Sequence, residues 1–171
     1  CNENTKKSPI NPYGISKLAS MQFAGIYRLT HGVFATNGIF FNHESHLRGR
    51  SFVTRKITYN MARLKIEGGA AMKLGNFSSA RDWGCAYDYM NAAFDVLQLD
   101  KPGDFIFATG TRHTIRDILS ISANRCNFNP KFVNSGEHER CIDQSSGLIL
   151  AEISPDYYRP FDTNYLVGDA S

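Results

Sequence analysis

Two side chains near the start of the chain have the types and the spacing of a proton-transfer pair. Tyr13 and Lys17 stand four residues apart, and on a helix that spacing places them one turn apart on one face. A Lys ammonium beside a phenol favours the phenolate. Such a phenol can exchange a proton with an alcohol or ketone near neutral pH, and the ammonium can also hold a ribose hydroxyl. The five residues 13–17 by themselves do not exclude the simpler interpretation, which is a surface Tyr and a solvated Lys that have this spacing by chance.

Two other groups of residues suggest metal or nucleophilic chemistry. His43, Glu44 and His46 lie close together, but the zinc pattern H-E-x-x-H needs histidines four apart on a helix. Here the histidines are three apart in a predicted loop, so we predict no metal. His138 and Cys141 could pair with a metal or act as base and nucleophile. Nothing else in the sequence supports either role, and we interpret them as part of a polar loop.

The composition is that of an ordinary globular protein with one hydrophobic core. The chain has 171 residues, of which 42% are hydrophobic and 20% charged, with a formal net charge of +3. The Lys and Arg residues are scattered, which argues against binding to nucleic acid or to a membrane surface. The four cysteines form no C-x-x-C pair. We expect them to be free thiols of a reducing compartment, and the protein to be cytoplasmic.

Helical and strand patterns alternate along the chain. A helix is predicted from Tyr13 to Gly32, and the β-branched and aromatic stretch 33–41 predicts a buried parallel strand. The apolar stripe of this first helix consists of Ile15, Leu18, Ala19, Ile26 and Leu29. Further helices are predicted at 53–67, at 83–97 and from Thr114, where Asp117 completes a capping box. Short strands are predicted at 72–74, 105–108, 131–133 and 148–153.

This alternation predicts an α/β fold with a parallel sheet. Ligands of such sheets bind at the carboxyl ends of the strands. The loop that follows Phe41 is therefore the first place to look for functional residues. Taken alone, Lys56 and Arg81 are interpreted as solvated charges at helix positions next to loops.

Several longer motifs follow the tyrosine and the lysine in a fixed order. They are 37–45 (Asn-Gly-Ile-Phe-Phe-Asn-His-Glu-Ser), Arg48-Gly49, 52–58 (Phe-Val-Thr-Arg-Lys-Ile-Thr), Leu74-Gly75-Asn76, Arg81-Asp82-Trp83-Gly84, Phe107-Ala108-Thr109-Gly110, Tyr158-Arg159-Pro160 and Gly168-Asp169. In this order they resemble the GDP-mannose 4,6-dehydratases, which are extended short-chain dehydrogenases/reductases. The similarity runs from about Ser8 to the end and is least clear at 126–149.

The resemblance implies a fold and a set of site residues. The fold would be the C-terminal part of a Rossmann-like parallel sheet plus part of a small substrate-binding α/β region, with residues 1–171 forming a single partial NAD(P)-binding domain. Tyr13 and Lys17 would be catalytic and would also contact the cofactor, NADP. The further cofactor residues would be His43 and Arg48. The substrate-side residues would be Asn42, Lys56, Arg81, Arg159 and Asp162.

The resemblance also implies an activity and partners. Members of the family dehydrate GDP-mannose to its 4-keto-6-deoxy form with bound NADP, in deoxyhexose biosynthesis. Tyr13 would take the proton of the sugar 4-hydroxyl, and a Glu upstream of it would help to eliminate water across carbons 5 and 6. We expect a homo-oligomer, dimer or tetramer, in the full-length enzyme. Neither nucleic acid nor a membrane is an expected partner.

Some parts of the family pattern do not occur in these 171 residues. There is no glycine-rich G-x-x-G-x-x-G turn and no strand carrying the upstream Glu, so we expect an internal fragment that is inactive alone. Cys85 stands where the family usually has His. One alternative is another sugar-nucleotide dehydratase or epimerase, against which the stretches 42–45 and 55–58 argue. The other is a non-catalytic truncated remnant.

Overall fold

The computed structural model describes residues 1–157 and 165–171. Its helices and strands are, in chain order, α1 (Pro12–His31), β1 (Asn37–Phe40), β2 (Asn42–Glu44), α2 (Val53–Glu67), β3 (Met72–Leu74), β4 (Ala80–Cys85), α3 (Ala86–Val96), β5 (Asp104–Phe107), β6 (Arg112–Thr114), α4 (Ile115–Arg125), β7 (Pro130–Val133), β8 (Arg140–Asp143), β9 (Ile149–Ile153) and β10 (Tyr165–Leu166). The pairs β1–β5, β2–β4 and β3–β9 are parallel. The predicted α/β class with parallel strands is confirmed.

The chain groups into two compact units, each built from separate segments. Unit 1 contains residues 1–45, 82–111 and 167–171, and unit 2 contains residues 46–81 and the described part of 112–166. Residues that are neighbours within a unit are therefore often distant in the sequence. The prediction that 1–171 form a single partial domain stays a prediction.

In unit 1, the carboxylate of Asp104 joins the end of α1 to the sheet. Strands β1 and β5 run parallel, with Asn37 opposite Asp104 and Phe40 opposite Phe107. Asp104 accepts hydrogen bonds from Arg28 on α1 and from the Asn37 amide, both at 2.8 Å. Burial by itself raises the pKa of Asp104, but these hydrogen bonds and the Arg28 charge hold it below its usual value. The ion pair thus fixes the last turn of α1 against two strands.

Helix α1 begins and ends where the sequence predicts. Asn11 is the N-cap and Gly32, at φ 63°, is the left-handed C-cap, which favours glycine because it has no Cβ. None of the helix residues is buried. Leu18 and Ala19 of the predicted stripe are half-buried, but Ile15, Ile26 and Leu29 are exposed. The apolar stripe of this helix is therefore only partly covered, because the described part of the chain brings no element against Ile15, Ile26 and Leu29.

The segment around Trp83 is a strand and not the start of a helix. Residues 80–85 form β4, and α3 begins only at Ala86. Alternate side chains of β4 are buried, with Ala80 and Asp82 inside and Arg81 and Trp83 half-buried. The predicted helix start at Trp83 and the helix position of Arg81 are wrong, because pairing with β2, in which Asn42 lies opposite Trp83, extends the backbone here.

Unit 2 has its own sheet and core. Its sheet has the order β3-β9-β8-β7, with β8 antiparallel to both of its neighbours, and β8 was not predicted from the sequence. Helices α2 and α4 contact each other. The capping box of α4 is confirmed, with Thr114 and Asp117 capping each other. The side chains that are fully buried in this unit include Ile57, Met61, Phe77, Leu119, Cys141 and Leu150.

Candidate active site

Tyr13 and Lys17 lie one turn apart at the start of α1. Asn11 caps this turn, since its side-chain oxygen accepts a hydrogen bond from the Gly14 amide at 2.8 Å. Lys17 Nζ lies 5.4 Å from the centroid of the Tyr13 ring. Tyr13 is 73% exposed, so its hydroxyl is accessible to a ligand. The spacing predicted from the sequence therefore brings the ammonium and the phenol ring together.

Both residues line an open cavity of about 830 Å³ in unit 1. Its wall is formed by the loop before α1, the first turns of α1, strand β1, and single residues of β2 and α3. The lining residues are Lys7, Ser8, Pro9, Tyr13, Gly14, Lys17, Leu18, Ser20, Met21, Asn37, Gly38, Ile39, Phe40, His43 and Met90. A mainly apolar wall with a few hydroxyl, ammonium and imidazole groups is typical of a small-molecule site.

His43 is the β2 residue that lines this cavity. Its Nδ1 lies 2.9 Å from the carbonyl oxygen of Phe41. A carbonyl oxygen only accepts, so Nδ1 donates and Nε2 keeps a lone pair in the neutral ring. The imidazole also contacts the rings of Phe40 and Tyr89, at centroid distances of 5.5 and 5.4 Å. Asn42 precedes it on the same strand and is half-buried.

Asp82 joins three of the motifs that the sequence presents separately. Its side chain is fully buried and accepts hydrogen bonds from Thr109, Gly110 and Gly168. Burial by itself raises the pKa of this carboxyl, but the four hydrogen bonds hold it below its usual value. Sequence reasoning quoted Asp82 only as part of a motif and missed this role. The signal available in the sequence was an Asp within one motif, 81–84, accompanied by two further glycine-containing motifs, 107–110 and 168–169.

Three further predicted site residues belong to unit 2. The Arg48 guanidinium lies 3.6 Å from the centroid of the Phe52 ring. Lys56 Nζ donates to the Lys73 carbonyl at 2.6 Å and lies 3.6 Å from the centroid of the Tyr157 ring. Burial lowers the pKa of Lys56.

Arg81 is the third of these residues, and its guanidinium donates to the Ala80 carbonyl at 2.8 Å. Two other predicted residues, Arg159 and Asp162, lie outside the described residues. Tyr13, Lys17 and His43 meet at one cavity, while the ligand roles of all nine predicted site residues stay predictions.

Comparison with known proteins places the whole chain in one family. The family model described as GDP-mannose 4,6 dehydratase matches residues 1–171. The chain belongs to the GDP-mannose 4,6-dehydratase family. It is 38% identical over 170 residues to a GDP-mannose 4,6-dehydratase of Sinorhizobium fredii, covering 99% of this chain and 48% of the relative. It is 39% identical over 169 residues to GDP-mannose 4,6 dehydratase 1 of Arabidopsis thaliana, covering 99% and 42%.

The chain thus spans less than half the length of these GDP-mannose 4,6-dehydratase relatives. Two solved structures share its fold. RMD from Pseudomonas aeruginosa, complexed with NADPH, matches with a TM-score of 0.77 and 20% identity, covering 99% of this chain and 50% of that chain. A UDP-glucose 4-epimerase from Thermotoga maritima, with UDP-glucose, also has a TM-score of 0.77, at 17% identity and covering 100% and 48%.

Cys85 has a defined place in the fold. It is the last residue of β4 and is exposed. It lies opposite Glu44 in the parallel pair β2–β4.

The helices of the described residues were also compared with the length and apolar character that a transmembrane segment needs. Among these residues, none of the helices meets both requirements.

Proposed function

We propose that this chain is part of an enzyme that dehydrates GDP-mannose to GDP-4-keto-6-deoxymannose with bound NADP, as a lyase. The observation that carries the proposal is the Tyr13–Lys17 pair, which lies at the wall of an 830 Å³ cavity in a chain of this family. The names of the relatives support the substrate, and the NADPH complex of the Pseudomonas aeruginosa protein supports the cofactor. The proposal includes a cytoplasmic homo-oligomer in which 1–171 form a partial NAD(P)-binding domain.

The cavity fits a nicotinamide nucleotide by size and by chemistry. Its volume of about 830 Å³ lies within the range of roughly 300–1,000 Å³ that is common for ligand sites. Lys17 offers N–H donors, the Tyr13 hydroxyl both donates and accepts, and His43 Nε2 accepts. These groups suit ribose hydroxyls and a carboxamide. A nicotinamide bound here would supply a reversible hydride acceptor.

In this proposal Tyr13 is the acid and base of the redox steps. Its phenolate takes the proton of the sugar 4-hydroxyl as carbon 4 becomes a ketone. The Lys17 ammonium lies 5.4 Å from the ring centroid, where its charge can offset negative charge on the Tyr13 oxygen as the proton moves. Lys17 and His43 hold the cofactor on the cavity side of α1 and β2.

The remaining predicted residues recognise the charged ends of the ligands. Arg81 and Arg159 are assigned to the nucleotide diphosphate, because a guanidinium fork matches phosphate oxygens. Arg48 is assigned to the cofactor, where its positive charge offsets phosphate charge. The residues assigned to the sugar-nucleotide side are Asn42, Lys56 and Asp162.

The 171-residue chain made alone is proposed to lack turnover. These residues contain no glycine-rich turn whose backbone amides would hold a cofactor pyrophosphate. In addition, α1 exposes Ile15 and Leu29, at 57% and 86%. A helix with an uncovered apolar face holds its catalytic side chains less rigidly, and small misplacements of reacting groups are costly.

The test uses the full-length enzyme that contains this chain. The protein is incubated with NADP and either GDP-mannose or UDP-glucose, and the products are analysed by mass spectrometry for the loss of one water. Loss of water from GDP-mannose alone supports the proposal. Loss of water from UDP-glucose alone would favour a dehydratase for another sugar nucleotide, and epimerised products without water loss would favour an epimerase.

A further inference from the structure

Tyr89, a residue that none of the sequence motifs includes, packs against the cavity wall. It lies on α3 and is only 6% exposed. Its ring centroid is 5.4 Å from that of the His43 imidazole, with 40° between the planes, and 6.3 Å from that of Phe40. His43 and Phe40 both line the cavity, whereas Tyr89 does not. Tyr89 therefore supports two wall residues without touching the cavity itself.

Gly84 creates the space that the Tyr89 ring occupies. In the parallel pair β2–β4, Gly84 lies directly opposite His43. A Cβ at position 84 would lie 2.4 Å from Tyr89 Cε1 and 2.6 Å from Cζ, closer than any real side chain permits. A glycine inside a strand often marks such a close approach. Because Gly84 has no side chain, the Tyr89 ring can occupy this space and contact the His43 imidazole on the neighbouring strand.

Two contacts together define the orientation of the His43 ring. The hydrogen bond from Nδ1 to the Phe41 carbonyl, at 2.9 Å, fixes one atom of the ring and selects the Nδ1–H tautomer. A single hydrogen bond can break, and the ring can then turn about its Cβ–Cγ bond and exchange between its two tautomers. The Tyr89 ring restricts this rotation by packing against the imidazole.

The hydroxyl of Tyr89 does not contribute to this support. It is buried and has no hydrogen-bond partner among the described residues. A buried hydroxyl without a partner is unfavourable. The aromatic ring alone is therefore expected to carry the contact with His43, so phenylalanine should replace Tyr89 without loss.

We infer that Tyr89 is a positioning residue for His43. Its ring, which fits here because Gly84 has no side chain, holds the imidazole in one orientation. In that orientation Nε2 stays available to an N–H or O–H donor of the nicotinamide nucleotide. This inference rests on the proposed function, because the ligand of the cavity is taken to be NADP. Tyr89 acts only through His43 and contacts no reacting atom.

The first experiment measures NADP dissociation constants for the full-length enzyme by titration calorimetry. His43→Ala and Tyr89→Leu should each weaken binding by about tenfold, the effect of losing one hydrogen bond. The double variant should be no weaker than His43→Ala alone, because the two residues act as one unit. Tyr89→Phe should bind like the wild type. Tyr87→Leu is the matched control, since Tyr87 lies on the same helix and is 72% exposed.

The second experiment observes the imidazole directly, without any cofactor. Nitrogen-15 NMR of the histidine-labelled full-length enzyme should show the Nδ1–H tautomer of His43 in the wild type and in Tyr89→Phe. It should show a mixture of tautomers in Tyr89→Leu and in Gly84→Ala, which keeps the tyrosine but displaces its ring. A wild type that binds no NADP contradicts the proposed function, while the NMR result still decides the role of Tyr89.

Three results would overturn the inference. One is independent, additive losses in the double variant. Another is a Tyr89→Phe enzyme that binds NADP as weakly as Tyr89→Leu. The third is an unchanged His43 spectrum in Tyr89→Leu or in Gly84→Ala.

Discussion

The carboxylate of Asp82 accepts two hydrogen bonds from Thr109, from the backbone amide at 3.0 Å and from Oγ1 at 2.6 Å. It accepts two more from the amides of Gly110 and Gly168, at 3.0 and 3.2 Å. The four donors surround a side chain with no exposed surface. A buried charge is tolerated when it is satisfied in this way, so Asp82 joins three distant segments of unit 1.

Replacing Asp82 by Asn should destabilise the full-length enzyme by about 2–4 kcal/mol, because the new NH₂ group would face backbone N–H donors and leave them unpaired. The free energy of unfolding in urea near pH 7 is the measurement. Asp100→Asn is the matched control, because Asp100 is exposed and its replacement should change stability by less than about 0.5 kcal/mol. Equal stability of the Asp82 variant and the wild type would contradict the role described for this carboxylate.

The effect of Asp82→Asn should also depend on pH. The hydrogen bonds hold the pKa of Asp82 in the folded chain below its ordinary value of 3.8. The ionised carboxyl therefore stabilises the folded state above that value, and this stabilisation is lost as the pH falls through the folded pKa. The stability difference between wild type and variant should shrink as the pH is lowered from about 6 to about 3. A difference that stays constant over this range would show that the charge is not involved.

Tyr13→Phe should remove most of the turnover of the full-length enzyme. The change deletes only the hydroxyl that transfers the proton, and general acid–base groups contribute about 10²- to 10⁴-fold to the rate. Dissociation constants for NADP and GDP-mannose should stay close to those of the wild type. Tyr27→Phe, on the same helix and 51% exposed, should retain full activity. Near-normal turnover in the Tyr13 variant would mean that another residue is the acid and base.

Arg48→Ala should weaken the binding of NADP by about tenfold and that of NAD by less. The reason is that the variant loses a positive charge that offsets the phosphate charge of NADP in the wild type. Dissociation constants for both cofactors at low salt are the measurement, since salt screens exposed charges. Arg50→Ala is the control. Arg50 lies two residues further on and packs on the Tyr59 ring at 4.0 Å, much as Arg48 packs on Phe52. Equal NADP affinity in the Arg48 variant and the wild type would exclude this residue from the cofactor site.

The isolated 171-residue chain should give no 4-keto product from GDP-mannose and NADP. It should also bind a hydrophobic dye or self-associate, because the apolar side chains Ile15, Phe23 and Leu29 of α1 are 57%, 62% and 86% exposed. Product formation by mass spectrometry and sedimentation velocity provide the two measurements. The full-length enzyme serves as the active control. Clear turnover by the isolated chain would mean that its residues are sufficient for catalysis.

Features that depend on neighbouring residues followed directly from the sequence. The spacing of Tyr13 and Lys17 predicts their contact, because four residues make about one turn of a helix. The capping box of Thr114 and Asp117 is equally local, and so is the end of α1 at Gly32. Ordered motifs also identified the family, since their order along the chain needs no coordinates.

Tertiary structure decided the features that join distant segments. Position 83 looked helical because Trp83 and Tyr87 continue an apolar helical spacing, but pairing with β2 makes the segment around it a strand. The role of Asp82 depends on hydrogen bonds from Thr109 and Gly168, which lie 27 and 86 residues further along the chain. The contact of Tyr89 with His43 likewise depends on the empty position at Gly84. No periodicity of the sequence encodes these contacts, because each arises from the pairing and packing of elements that are far apart in the chain.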